Sequence, residues 1–274
     1  MKNVRSPYRT ALCAVMVLVP LIAGCTSSKA DPRKDEQTLV ELALSALSVS
    51  RPDYGFNPAP TSEKTADGLV MTVTAYPLGA FMAESPGDIP VSVTFDHDSV
   101  VTHVSPLPET RLGRALKLLG TSNGSAESTR GVRELRSNIG RDVEVVAVAE
   151  LAEPMTETAA LKDEAGLTQP QRALLSPGGD GLPLGNSLYC SRTCDEQSYT
   201  ASFQEWVSTL RPQDQPTLKA FGLDLDALRA TSQRERERER IHGLIYENYD
   251  VRTLLEISKN PRVKALYVAD TNSK

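Results

Sequence analysis

The sequence predicts an α+β fold. Its C-terminal half, residues 140–274, reads as ferredoxin-like with two βαβ units, and its N-terminal half, residues 36–139, as a small mixed region of helix and β-hairpin. Three observations predict this. Residues 142–176 and 240–269 run through one order of elements, an apolar strand, a short helix and a second strand. Residues 36–49 place apolar side chains at three- and four-residue spacing, the period of a helix with a buried face. Residues 69–76 and 90–95 alternate apolar and polar side chains, as half-buried strands do.

In chain order, Leu39, Val40, Leu42, Ala43, Leu44, Ala46 and Leu47 are the apolar residues of the first helix. The Arg51-Pro52 step stops it, because the residue before proline is steered away from helical backbone angles. The Pro- and Asn-rich stretch at 52–60 predicts a loop. Leu69, Met71, Val73 and Ala75 then share one face of a strand, and Val91, Val93 and Phe95 one face of the next. Asp96-His97-Asp98-Ser99 turns that strand into a partner at 100–104. A helix at 110–119 ends at Gly120, since glycine adopts the left-handed position after a helix at low cost. A polar stretch leads to a further helix at about 128–139.

The second half opens with a strand at 142–151, a break at Pro154, a helix at 156–164 and a strand at 172–176. Helical stretches near 199–211, 213–221 and 224–238 follow. The chain closes with a strand at 240–248, a helix capped by Asp250 that runs through Ser258, and a strand at 262–269.

The first residues are of another kind. Lys2, Arg5 and Arg9 precede an uncharged, apolar run at 11–23, interrupted only by Pro20. That run suits a signal-peptide core and is shorter than the roughly 20 residues of a membrane-spanning helix. It ends in Leu21-Ile22-Ala23-Gly24-Cys25, which closely resembles the lipobox of bacterial lipoproteins. The resemblance implies removal of residues 1–24, a diacylglycerol thioether on Cys25, a polar tether at 25–35 and a place on the outer face of the cell membrane. Without Lys2, Arg5 and Arg9 the 30 basic residues become 27, against 35 acidic ones, a mature net charge of −8. An acidic exported chain is a poor match for nucleic acid, whose phosphates need basic patches. Membrane contact is therefore expected through the lipid alone, and no cofactor is expected. Of the four cysteines, only Cys190 and Cys194 remain once Cys13 is removed and Cys25 acylated. Outside the cytoplasm such a pair favours a disulfide, with free thiols, a redox pair or half a metal site as alternatives.

Ile241-His242-Gly243-Leu244-Ile245, Leu254-Leu255 and Pro261-Arg262-Val263, together with residues 145–158, resemble the extracytoplasmic C-terminal domain of bacterial sigma-factor regulators. The resemblance covers residues 140–270 and implies a sensing or regulatory module that meets an envelope protein. Those regulators also own a cytoplasmic arm and a membrane span; neither is found here, so direct contact with a sigma factor is not expected.

Chemistry-bearing motifs have structural readings. Gly120-Thr121-Ser122-Asn123-Gly124 matches the G-x-S-x-G of hydrolase nucleophiles, which needs a strand before the serine; here a helix precedes it. Asp96, His97, Asp98 and His103 offer two carboxylates and two imidazoles that a hairpin can gather around a metal. Turn chemistry explains the aspartates more simply, so His97, Asp98 and His103 are ligand candidates without an assigned metal. The alternating run at 234–240 reads as the solvated end of a helix, with a partner-docking stripe as its functional alternative. Ser176-Pro177-Gly178-Gly179-Asp180-Gly181 lacks the lysine of a phosphate cradle and reads as a loop. Phe203, Trp206 and Leu210 read as a core stripe, and Tyr246 and Tyr249 as residues that line either core or pocket. The expectation is a lipid-anchored binding or regulatory module; the alternatives are a metal-dependent or hydrolytic envelope enzyme and a solute-binding lipoprotein.

Overall fold

Ten strands and eight helices are laid out in the computed structural model, which describes residues 35–79, 87–161, 166–167, 170–178, 181–187, 198–238 and 240–273. Cys25, Cys190 and Cys194 lie outside the described residues. Helix α1 (Glu36–Ser50) opens with Asp35, whose side chain accepts from the Thr38 backbone N–H, and it packs on the first sheet. That sheet comprises β1 (Tyr54–Phe56), β2 (Thr61–Thr65), β3 (Gly68–Pro77), β4 (Ile89–Phe95) and β5 (Val101–Val104), all antiparallel. Strand β3 is long enough to hold β2 along its first half and β1 along its second, with β4 on its other edge. Its inward residues Leu69, Met71, Val73 and Ala75 are buried with Val91, Val93 and Phe95 of β4. Strand β2 is exposed throughout.

Helix α1 is shared between two cores. Leu39, Ala43 and Leu47 pack into the first sheet's core, while Leu42, Ala46 and Val49 enter the core of the second sheet. The same residue spacing that predicts one apolar face thus covers two, because a stripe widened to i, i+3, i+4 and i+7 wraps far around the helix.

The second sheet runs β10-β6-β9-β7-β8. Its strands are β6 (Val143–Thr156), β7 (Arg172–Leu174), β8 (Gly185–Ser187), β9 (Arg240–Asp250) and β10 (Val263–Ser273), again antiparallel throughout. The units β6-α4-β7 and β9-α8-β10 interleave, each pair of strands flanking one strand of the other; α4 is Glu157–Leu161 and α8 Val251–Lys259. Asp250 caps α8, its carboxylate accepting from the Thr253 N–H at 3.0 Å. Between β8 and β9 come α5 (Tyr199–Thr209), α6 (Gln215–Ala220) and α7 (Leu225–Arg238).

Both faces of the second sheet are covered. Val145, Ala147, Ala149 and Leu151 of β6 face α8, α5 and α7, while Val146 and Val148 face α2 (Arg111–Leu116). That two-sided burial explains the almost unbroken apolar run of β6, since neither face meets water. Helix α3 (Gly124–Ser137) lies along β10, where Ser128 Oγ accepts from the Leu266 backbone N–H at 3.0 Å. Gly131 permits this approach, because a Cβ there would sit 3.1 Å from Val268 Cγ2. No described helix is long and apolar enough to cross a membrane.

Three short strands, β1, β2 and β8, depart from expectation. The stretch at 52–60 holds β1, and β2 follows it with no alternation of apolar side chains. Helix α2 stops at Leu116 and continues in tight turns to Gly120 (φ 73°), and α3 begins at Gly124, earlier than its apolar residues suggest.

Candidate functional site

Strand β6 carries three glutamates, Glu144, Glu150 and Glu153, and Glu150 is the buried one. Glu150 is 9 % exposed and sits opposite Ala265 of β10 on one side and Gly243 of β9 on the other. An ionised group at such a position is costly unless its charge and lone pairs are met. Here Lys264 Nζ donates to Oε1 at 2.6 Å and the Tyr267 hydroxyl donates to Oε2 at 2.7 Å. A shift in register between Val263 and Ala265 falls at Lys264, the residue whose ammonium reaches the carboxylate. Burial, then the bond to the Glu150 carboxylate and its charge, push the Tyr267 hydroxyl above the ordinary tyrosine range, so it stays a proton donor.

Beside Glu150 the β6–β9 pairing is irregular between Glu150 and Met155, where Pro154 has no N–H to offer. A cavity of about 70 Å³ opens there, lined by Gly120, Glu150, Pro154, Ser176, Gly178 and His242 among others. The loop that follows β7 presses onto the end of α2. A Cβ on Gly178 would lie 2.3 Å from the Leu119 carbonyl oxygen, so this position of the glycine-rich loop needs glycine for close approach. Ser176 holds the loop by accepting from the Leu184 N–H at 2.8 Å.

Tyr267 also lines a second and larger cavity, of about 190 Å³, between α2, α3 and β10. Arg111, Arg114 and Arg130 project around it beside Glu127 and Glu134. Each guanidinium faces a carboxylate, Arg111 with Asp270 and Arg130 with Glu127 at 2.5 Å, and Arg114 with Glu109 at 3.9 Å. The three arginines are half-exposed or more, so the Arg114 and Arg130 pairs contribute little individually, while Asp270 of the Arg111 pair is largely buried.

Two other buried carboxylates are anchors. Asp53 takes both nitrogens of the Arg51 fork at 2.9 Å and the Thr110 hydroxyl at 2.8 Å, tying the start of β1 to the start of α2. Glu157 caps α5, accepting from the backbone N–H of Tyr199 and Thr200 and from the hydroxyls of Ser198 and Thr200. The two backbone bonds satisfy donors that the helix itself leaves open, and the two hydroxyl bonds add to the hold on the carboxylate.

The residues singled out by sequence fall mostly into structural roles. Asp96 Oδ1 accepts from the N–H of Asp98 and of Val100, both at 2.9 Å, which is turn chemistry. His97 Nε2 is 2.9 Å from the Ala66 carbonyl oxygen, joining the β4–β5 turn to the β2–β3 turn. His103 stands exposed on β5 opposite Thr94. Among the described residues no three His, Cys, Asp or Glu side chains converge as a metal site would require. Ser122 lies between two helices, without a preceding strand. Phe203 and Leu210 are buried, with Trp206 packed beside them. Tyr246 is fully buried, its ring edge-on to Tyr249 at 5.2 Å, and it serves the core. Sequence reasoning missed Glu150, which shares its strand with Glu144 and Glu153, and its partners come from β10, more than a hundred residues on.

No family model, no curated protein and no solved structure matches this chain.

Proposed function

We propose that this chain is a lipoprotein, held on the outer face of the cell membrane through Cys25, that acts as a binding or regulatory module for an envelope protein. The observation that carries it is the ordered leader: three basic residues, an apolar run and Leu21-Ile22-Ala23-Gly24-Cys25. The structured chain is compatible with a tether. Helix α1 starts at Glu36, and ten extended residues from Cys25 reach at most about 35 Å.

The charge at the start of α1 supports standing off the membrane. Glu36 meets Ser62 and Lys64 of β2, and the Ala66–His97 bond brings the neighbouring turns together. Asp35, Glu36, Glu63, Asp67, Asp96 and Asp98 outnumber Lys64 on these segments. Such a surface is repelled by anionic headgroups, so the lipid does the anchoring and the rest of the domain stays accessible. The interleaved order of β6, β7, β9 and β10 supports the ferredoxin-like reading of residues 140–274, with β8 and α5–α7 as additions. The resemblance of residues 140–270 to regulator domains supports a protein partner.

Metabolic labelling with a fatty acid tests the anchor. The wild-type chain takes label and fractionates with membranes; Cys25→Ala takes none and keeps its leader. Crosslinking in cells tests the partner, with Cys25→Ala as control. Capture of one envelope protein by the lipidated form alone is expected, and equal capture by both forms overturns the need for the anchor.

A further inference from the structure

We infer that the Glu150 cavity is a pocket for a basic group on an apolar stem, a lysine-type ammonium or an arginine-type guanidinium. The inference rests on the reading of the chain as a binding module and names the ligand chemistry of its site.

Size comes first. A cavity of about 70 Å³ is far below the roughly 300–1,000 Å³ that holds a whole small molecule, so it takes the end of a longer one. Its walls suit the stem. Leu119, Leu151, Leu174, Pro154 and Pro177 line it, and the methylenes of a lysine or arginine pack on such surfaces while the charged head finds a polar partner. Its polar lining residues are Glu150, Ser176 and His242, and Glu150 is the acid among them.

The carboxylate has capacity left. Lys264 and Tyr267 each donate one hydrogen bond to it, whereas an ionised carboxylate offers about four acceptor positions. Lys264 also demonstrates the recognition, because its ammonium sits 2.6 Å from Oε1 while its side chain remains 55 % exposed. It does so without lining the cavity. An arriving cation therefore meets a carboxylate that already holds an ammonium, and it competes with Lys264 for the charge. The formal net charge of −5 on the whole chain favours the approach of a cation over that of an anion.

The test uses the isotope-labelled full chain in detergent with Cys25→Ala, so that lipidation plays no part and a failure here leaves the anchor reading untouched. Amide shifts are followed during titration with N-acetyl-lysine methylamide, N-acetyl-arginine methylamide, putrescine and the neutral N-acetyl-norleucine methylamide. At least one capped cation gives saturable shifts at Gly120, Leu151, Ser176 and Gly178, and the norleucine compound gives none. Glu150→Gln weakens that binding at least about tenfold, the value of a charge-assisted hydrogen bond. Lys264→Met, compared at a temperature where its amide spectrum shows the folded chain, tightens it about two- to fivefold by removing the internal competitor. Shifts with putrescine alone keep the pocket and assign it to free amines. Absence of saturable shifts in both the parent and Lys264→Met, equal shifts with norleucine, or weaker binding in Lys264→Met overturns the inference.

Discussion

Replacing Met71 by alanine removes a side chain that is fully buried in the first sheet's core and touches none of the second sheet's core. A buried methionine cut to alanine costs about 2–5 kcal/mol, the upper part applying where the surroundings do not collapse. Met71 lies between the α1 helix and paired neighbours on both sides of β3, which favours about 3 kcal/mol. For a chain of this size that lowers Tm by roughly 6–12 °C. The informative readout is remote from the change. Trp206, the only tryptophan, packs against the second sheet's core. Because α1 places side chains in both cores, and Phe221 also packs against both, the two sheets unfold together. Trp206 fluorescence and far-UV circular dichroism are therefore expected to shift by the same amount in Met71→Ala. A fluorescence midpoint that stays at the parent value while the dichroism midpoint falls refutes the coupling through α1.

Three further outcomes are expected. Asp250→Ala removes the cap of α8 and costs about 1 kcal/mol in denaturant titration. Burial raises the Asp250 carboxyl, but its bonds to Thr253 and nearby backbone outweigh that and hold it below 3.8, so the parent's advantage over the variant exists above that pH and fades as pH falls through the lowered value. Glu247 runs the opposite way: burial, only partly offset by Arg172 at 4.0 Å, raises its carboxyl above 4.5. The folded state then binds the proton more tightly, so stability falls as pH rises from 4.5 through the raised value, and Glu247→Gln flattens that part of the urea-midpoint profile. Gly178→Ala drives a methyl into the Leu119 carbonyl; about 1–3 kcal/mol of destabilisation is expected, with faster amide exchange at Gly120 and Leu184.

Elements with strong local signals were readable. The period of Leu39 to Leu47, the alternation of Leu69 to Ala75 and the cap at Asp250 each depend on residues within a few positions. Strand β1 was not readable, because Tyr54-Gly55-Phe56 is short and sits in a Pro- and Asn-rich context; its strand character comes from pairing with Ala75 to Pro77. Strand β2 is polar throughout and exists by the same device, a hairpin partner in β3. At the site, the loop at 176–178 was visible as glycine-rich, but its need for glycine is set by Leu119, far off in sequence. Glu150 shows the limit most clearly. Local sequence does not separate it from Glu144 and Glu153 of the same strand, and the docking of β10 explains how its burial is tolerated.

The exposed strand β2 has a consequence for how copies of this chain meet. Among the described residues it pairs with β3 alone, so two copies are in a position to join edge to edge about a two-fold axis. Centred on Glu63, that arrangement sets Glu63 against its own copy; centred on Lys64, it sets lysine against lysine. Like charges opposed across a strand pair are unfavourable, and charged residues on an open edge are a common guard against sheet extension. The short sequence Thr61-Ser62-Glu63-Lys64-Thr65 thus disfavours extension of the sheet through this edge.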